Sequence, residues 1–108
     1  MGQGTLLFRA SLGDVLRAER MRQGMTLREL SSSARVSLGY ISEIERGQKE
    51  ASSELLASLC QAMDLPLSDV LREVADAVAL EEVALGLSVP TIAATPLKTA
   101  GDVVASAA

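Results

Sequence analysis

The sequence has no histidine, no tryptophan and a single cysteine among its 108 residues. Without these side chains one chain cannot assemble a His/Cys metal cage, or a Ser or Cys nucleophile activated by a histidine base. A chain this short also forms one small domain rather than two halves around a cleft. We therefore expect no enzyme activity, no metal site and no cofactor.

Aromatic residues are nearly missing as well, since there is one Phe and one Tyr. The apolar 48% of the chain is mainly aliphatic, which is typical of helices packed on helices. No run approaches the ~20 apolar residues of a membrane span, and the first residues lack the charged start of a signal peptide. We predict an all-α protein of the cytoplasm with no membrane partner, in which Cys60 is a buried apolar side chain rather than a reactive thiol.

The formal net charge of −4 hides an uneven distribution. Residues 1–49 hold eight Lys/Arg and five acids, a balance of +3, whereas residues 50–108 hold two bases and nine acids, a balance of −7. Such asymmetry suggests a basic end that meets an anionic partner and an acidic end kept away from it. Uneven charge is also common in small helical proteins, so it does not decide the function by itself.

Helix start and stop signals recur along residues 11–66. A Ser or Thr followed three residues later by an acid can satisfy orphan amides of a first helical turn, and glycine often follows a helix end. The pattern predicts four helices in a domain over residues 11–66, after a loosely ordered N-terminus at 1–10. The signals are Ser11, Asp14 and Gly24 for the first helix, Thr26, Glu29 and Arg35 for the second, Ser37 and Gly47 for the third, and Ser52 or Ser53 with Pro66 for the fourth.

Residues 67–87 predict a fifth, longer helix of about five turns, followed by a flexible tail at 88–108. This helix carries two apolar stripes on nearly opposite sides, and both must be covered. We expect one stripe to meet a second copy in a homodimer. The alternative is a bend near Ala79 that folds the second stripe onto its own domain. The candidate dimerisation residues are Val70, Val74, Val78, Leu80, Val83 and Leu87.

The segment from Thr26 to Lys49 reads T-L-R-E-L-S-S-S-A-R-V-S-L-G-Y-I-S-E-I-E-R-G-Q-K. Two helices joined by about three residues need a small residue at their crossing and an apolar residue before the second helix, and Ser31 and Val36 fit these roles. The segment resembles the Cro/C1-type helix-turn-helix family, also called the xenobiotic-response-element family, from about residue 12 to residue 71. The resemblance implies a five-helix, Cro/C1-repressor-like DNA-binding domain with a long C-terminal dimerisation helix.

In that family the second helix of the pair enters the major groove of double-stranded DNA. The resemblance also implies a structural ion pair between Arg20 and Glu45, although both could be solvated surface charges. This sequence departs from the pattern at Leu27, where many members have a Gln that touches phosphate, and at Arg35, where a Gly normally takes a left-handed conformation. The candidate base-reading residues are Ser37, Leu38, Gly39 and Glu43. The candidate phosphate contacts are Arg28, Arg35, Tyr40, Ser42, Arg46, Gln48 and Lys49. Glu43 could equally be a solvated residue, and Tyr40 and Ser42 could serve packing.

The motif followed by an acidic helix and an Ala-rich end is also similar to the Clp gene regulators of actinobacteria. That likeness implies an activator of Clp protease genes that binds a palindromic operator as a homodimer and acts on RNA polymerase. The terminal A-S-A-A resembles the degradation tags of such proteases, which makes Ala107 and Ala108 a candidate tag and Clp protease a candidate partner. The alternative is an antitoxin-like regulator whose acidic part neutralises a basic protein.

Overall fold

The computed structural model describes residues 3–86, which form five α-helices. They are α1 (Gln3–Arg22), α2 (Leu27–Ala34), α3 (Leu38–Glu45), α4 (Ser53–Ala62) and α5 (Leu67–Ala84). No strand occurs within the described range, and none of its helices is long and apolar enough to cross a membrane. The predicted all-α fold of five helices is therefore confirmed. The predicted tail at 88–108 lies outside the described residues.

One hydrophobic core joins the helices, with α1 packed on α3 and α5, and α2 and α4 packed on each other. Cys60 is one of its members, as the sequence predicted, and burial raises the pKa of its thiol above the ordinary value. The uncharged thiol therefore behaves as a small apolar side chain. The core side chains are Leu12, Val15, Leu16, Leu30, Ile41, Ile44, Leu56, Leu59, Cys60, Met63, Val70 and Val74.

Local capping chemistry starts the middle helices where the sequence indicated. The Thr26 hydroxyl accepts a hydrogen bond from the Glu29 amide at 3.0 Å, and the Glu29 carboxylate accepts one from the Thr26 amide at 2.9 Å. Ser37 caps α3 and Ser52 caps α4, each through a hydroxyl that accepts from the amide three residues on. Each cap satisfies an amide that would otherwise lack a partner in the first turn.

The start of α1 differs from the prediction, because the helix begins at Gln3 and Ser11 lies buried within it. Loose order over residues 1–10 is therefore wrong for residues 3–10. These residues lack a local cap signal but have tertiary partners. Arg9 pairs with Glu50 at 3.0 Å, and the backbone of Ala10 packs against Gly47.

The long helix α5 runs without interruption to Ala84, so the alternative of a bend near residue 79 is not observed. Val70 and Val74 are each 2% exposed and belong to the core of their own protomer, so their assignment to a dimer interface is wrong. Val78 is half-buried against the same core, whereas Leu80 and Val83 are exposed. The first stripe covers α1, and only the second is left for another surface.

Candidate nucleic-acid interface

The turn between α2 and α3 is held by hydrogen bonds around Ser31. Arg35 ends α2 in the left-handed conformation, with φ +60°, and its amide donates to the Ser31 carbonyl at 2.9 Å. The Ser31 hydroxyl donates to the Val36 carbonyl at 2.6 Å. A non-glycine residue in this conformation costs about 1 kcal/mol. The resemblance placed a left-handed residue here, and the structure shows Arg35 in that conformation with its side chain exposed.

Helix α3 presents a buried face and an open face. Ile41 and Ile44 are each 1% exposed and anchor the buried face in the core. Outside this buried face, Leu38 at the first turn is 37% exposed, and a Cβ built on Gly39 would meet nothing within 4 Å. Three of the four predicted base-reading residues, at positions 37 to 39, are thus exposed on one end of α3.

The fourth, Glu43, is half-buried and shares a salt bridge with another predicted DNA contact. The Lys49 ammonium lies 3.8 Å from the Glu43 carboxylate. Both groups retain solvent contact, and exposed pairs of this kind contribute only about 0–1 kcal/mol. Separating the two side chains would therefore cost little free energy.

Five of the seven predicted phosphate contacts lie on the surface around α3 with exposed side chains: Arg28, Arg35, Arg46, Gln48 and Lys49. The Ser42 hydroxyl is half-buried and accepts from the Arg46 guanidinium at 2.6 Å. The Tyr40 hydroxyl donates to the Glu50 carbonyl at 2.9 Å. Since that donor is already used, the geometry favours the packing alternative for Tyr40.

Arg20 and Glu45 form a bidentate salt bridge at the C-terminal end of α3. The guanidinium Nε donates to Oε2 of Glu45 at 2.7 Å and Nη2 donates to Oε1 at 2.9 Å. A third bond runs from Nη1 to the Met25 carbonyl at 2.8 Å. The hydrogen bond to Glu45 raises the pKa of Arg20 further above its ordinary value. The side chains are only 9% and 6% exposed, so the alternative of two solvated charges does not hold.

Two features near this surface were missed by the sequence reasoning. A Cβ on Gly13 of α1 would lie 2.5 Å from the carbonyl oxygens of Ile44 and Glu45, so α1 touches the end of α3 through backbone. A glycine inside a helical pattern is the available signal for such an approach. The second feature is Glu19 of α1, which is 2% exposed, pairs with Arg22 and lies beside Glu73 of α5. Its sequence neighbours give no indication of that burial.

The candidate residues at three further positions cannot be placed. Leu87 of the predicted dimer surface, and Ala107 and Ala108 of the predicted degradation tag, lie outside the described residues.

Comparison with known proteins identifies the domain that carries this surface. The model of the helix-turn-helix family matches residues 16–70. The chain is 62% identical over 76 residues to the transcriptional regulator ClgR of Mycobacterium tuberculosis, covering 70% of this chain and 68% of that protein. The fold matches the crystal structure of the clp gene regulator ClgR from Corynebacterium glutamicum with a TM-score of 0.69 and 51% identity, covering 74% of this chain and 85% of that chain.

A more distant structure shares the fold alone. The restriction-modification controller protein C.Esp1396I, solved as a tetramer in complex with its natural 35 base-pair operator, matches with a TM-score of 0.63 at 18% identity. The match covers 67% of this chain and 95% of that chain.

The chain belongs to the helix-turn-helix family of Cro/C1 type, a class of DNA-binding transcriptional regulators. Within that class it is similar to the ClgR regulators over 70% of its length.

Proposed function

We propose that this protein is a sequence-specific regulator of transcription that binds a palindromic operator as a homodimer. The observation that carries the proposal is the open face of α3, where Leu38 is partly exposed and Gly39 has open space around it, whereas Ile41 and Ile44 are buried in the core. A helix with one anchored and one free face can enter the major groove, which is wide enough to admit an α-helix.

The side chains on that face have the chemistry to distinguish bases. The Ser37 hydroxyl accepts from an amide within its own helix and keeps its proton for a base acceptor. Leu38 can contact a thymine methyl group, and the Glu43 carboxylate can accept from the cytosine amino group. The exposed cations around α3 supply phosphate contacts, which set orientation and most of the affinity without reading sequence.

The homodimer is supported by the part of α5 that its own domain leaves uncovered. Leu80 is 72% exposed, and Val83 and Leu85 are exposed beside it. A single domain with few phosphate contacts binds weakly, at about 10⁻⁴ to 10⁻⁶ M. Two copies that contact half-sites about 34 Å apart reach specific affinity. We place a second copy of this chain on the C-terminal half of α5.

The likeness to the ClgR regulators supports a more particular role. We propose that the operators lie at promoters of Clp protease genes and that the protein activates them together with RNA polymerase. Turnover by Clp protease through Ala107 and Ala108 would make this control self-limiting, and it remains a prediction from the sequence.

Binding to defined duplexes tests the DNA-reading surface. We expect promoter fragments of Clp protease genes to be bound at near-physiological salt more tightly than a shuffled duplex. Leu38→Ala should weaken specific binding by about fivefold or more, since the loss of recognition at one base pair costs about 1 kcal/mol or more. The matched control is Leu71→Ala, which removes an exposed leucine from α5. Equal affinity for promoter and shuffled duplexes would overturn the proposal.

The dimer is tested on a sizing column. We expect Val83→Asp to elute as a folded monomer that has lost operator affinity, because a carboxylate would be buried between two copies. Ala75→Asp adds the same charge to an exposed position two turns earlier, in the N-terminal half of α5, and should stay dimeric. A Val83→Asp dimer would place the interface elsewhere. Co-purification of this chain with a stoichiometric amount of a basic protein would favour the antitoxin-like alternative.

A further inference from the structure

The loop between α3 and α4 carries two of the proposed phosphate contacts, Gln48 and Lys49, and it is tied to α1. The Arg9 guanidinium donates from Nη2 to the Glu50 carboxylate at 3.0 Å. One residue further along α1, the Ala10 Cα lies 3.3 Å from where a Cβ on Gly47 would stand. Gly47 has φ +74°, so a side chain there is disfavoured by conformation as well as by space.

The same loop is tied to α3 from the other side. The Tyr40 hydroxyl donates to the Glu50 carbonyl at 2.9 Å. The Gln48 amide donates to the Glu43 carbonyl at 2.8 Å and continues the end of α3 into the loop. Glu50 is therefore held twice, by its carboxylate from α1 and by its carbonyl from α3. The two proposed phosphate contacts lie directly before this doubly held residue.

The burial of Arg9 shows that its head group is directed into this contact. Its Nε is buried and has no hydrogen-bond partner among the described residues, and its side chain is 30% exposed. The Glu50 side chain is 62% exposed. An ion pair with one partner so open to water adds little to the stability of the fold. Any larger effect of the Arg9–Glu50 ion pair is therefore on the position of the loop.

We propose that Arg9 is a positioning residue, which acts through Glu50 to hold the α3–α4 loop in the place where Gln48 and Lys49 meet the DNA backbone. A loop that is ordered before binding loses less conformational entropy when the complex forms, so the affinity is higher. Arg9 lies before the residues matched by the family model, 16–70, so this support is added from outside the matched domain. The inference depends on the proposed DNA binding.

A double-mutant cycle on the full chain tests it, with operator binding measured by fluorescence anisotropy over a series of salt concentrations. Arg9→Ala should weaken binding by about fivefold, the upper end of what an exposed ion pair supplies. It should cause no further loss in the Glu50→Ala background, and the dependence of affinity on salt should keep its slope. Amide hydrogen exchange at Gln48, whose amide donates to the Glu43 carbonyl, should become faster in each single variant.

Arg72→Ala is the matched control, because it breaks a similar exposed pair, with Asp69 at 3.0 Å, far from the loop in sequence. The proposal is overturned if Arg9→Ala weakens binding equally in both backgrounds. It is also overturned if the salt slope falls by about 0.9, the value for one lost phosphate contact, since Arg9 would then contact DNA itself. If Arg9→Ala does not fold, an unchanged rate of amide hydrogen exchange in the loop of Glu50→Ala would refute the role of the Arg9–Glu50 ion pair in holding the loop. Failure of the wild-type chain to prefer its operator would instead refute the proposed function.

Discussion

Replacement of Arg20 by alanine is expected to destabilise the domain more than any surface change. The substitution removes both bonds to Glu45 and the bond to the Met25 carbonyl, and it leaves a 6%-exposed carboxylate without a counter-charge. Breaking a buried pair from one side costs about 3–5 kcal/mol. A small domain has about 5–15 kcal/mol of stability in total, so Arg20→Ala should lose a large share of it in urea unfolding followed by circular dichroism.

Two further variants separate the charge from the packing. Arg20→Met combined with Glu45→Met removes both charges and should be more stable than Arg20→Ala, because no buried ion is left alone. Arg72→Ala, which breaks an exposed pair, should change stability by less than about 1 kcal/mol. The reasoning is refuted if Arg20→Ala costs no more than Arg72→Ala, or if the double variant is the least stable of the set.

Three further predictions concern α1 and α5. Gly13→Ala should destabilise the domain by about 1–3 kcal/mol in urea unfolding, because the new Cβ would stand 2.5 Å from two carbonyl oxygens of α3; a gain in stability, as helix propensity alone predicts, would contradict this. Val74→Asp should leave no folded domain by circular dichroism, since it places a charge in the core. Glu73→Gln should raise the melting temperature at neutral pH but not in acid. Burial, and then the neighbouring Glu19, raise the pKa of Glu73 in the folded protein, so the free energy of unfolding falls as pH rises from the ordinary pKa of a glutamate to the raised one. An equal rise in melting temperature at both pH values would refute this direction of the pH dependence.

Much of the fold could be predicted because helix starts are local events. Thr26, Ser37 and Ser52 each cap a helix with a hydroxyl that reaches an amide three residues away, so the signal and its effect lie within one turn. The start of α1 could not be predicted in this way. Its early part contacts Gly47 and Glu50 through Arg9 and Ala10, and these partners lie far along the chain.

The two stripes of α5 show a second limit of sequence periodicity. The spacing of apolar residues predicted two apolar faces on α5, and the structure shows both faces, one buried and one exposed. Periodicity cannot tell which face a domain uses for its own core, because that depends on where α1 lies. The structure gives Val70 and Val74 to the core and leaves Leu80 and Val83 exposed. The candidate interface on α5 is therefore half the length that the sequence suggested.

The candidate site shows the same division between local and distant causes. The motif predicted which residues of α3 are open, since a helix with two buried isoleucines must expose the opposite face. What holds α3 at its angle comes from α1, through the backbone approach at Gly13 and the Arg20–Glu45 pair. Because α1 also holds the loop after α3 through Arg9, the C-terminal end of α3 and the loop that follows it are both fixed by a helix to which we assign no DNA contact. Substitutions in α1 should therefore alter affinity for the operator while leaving the preference among bases to α3.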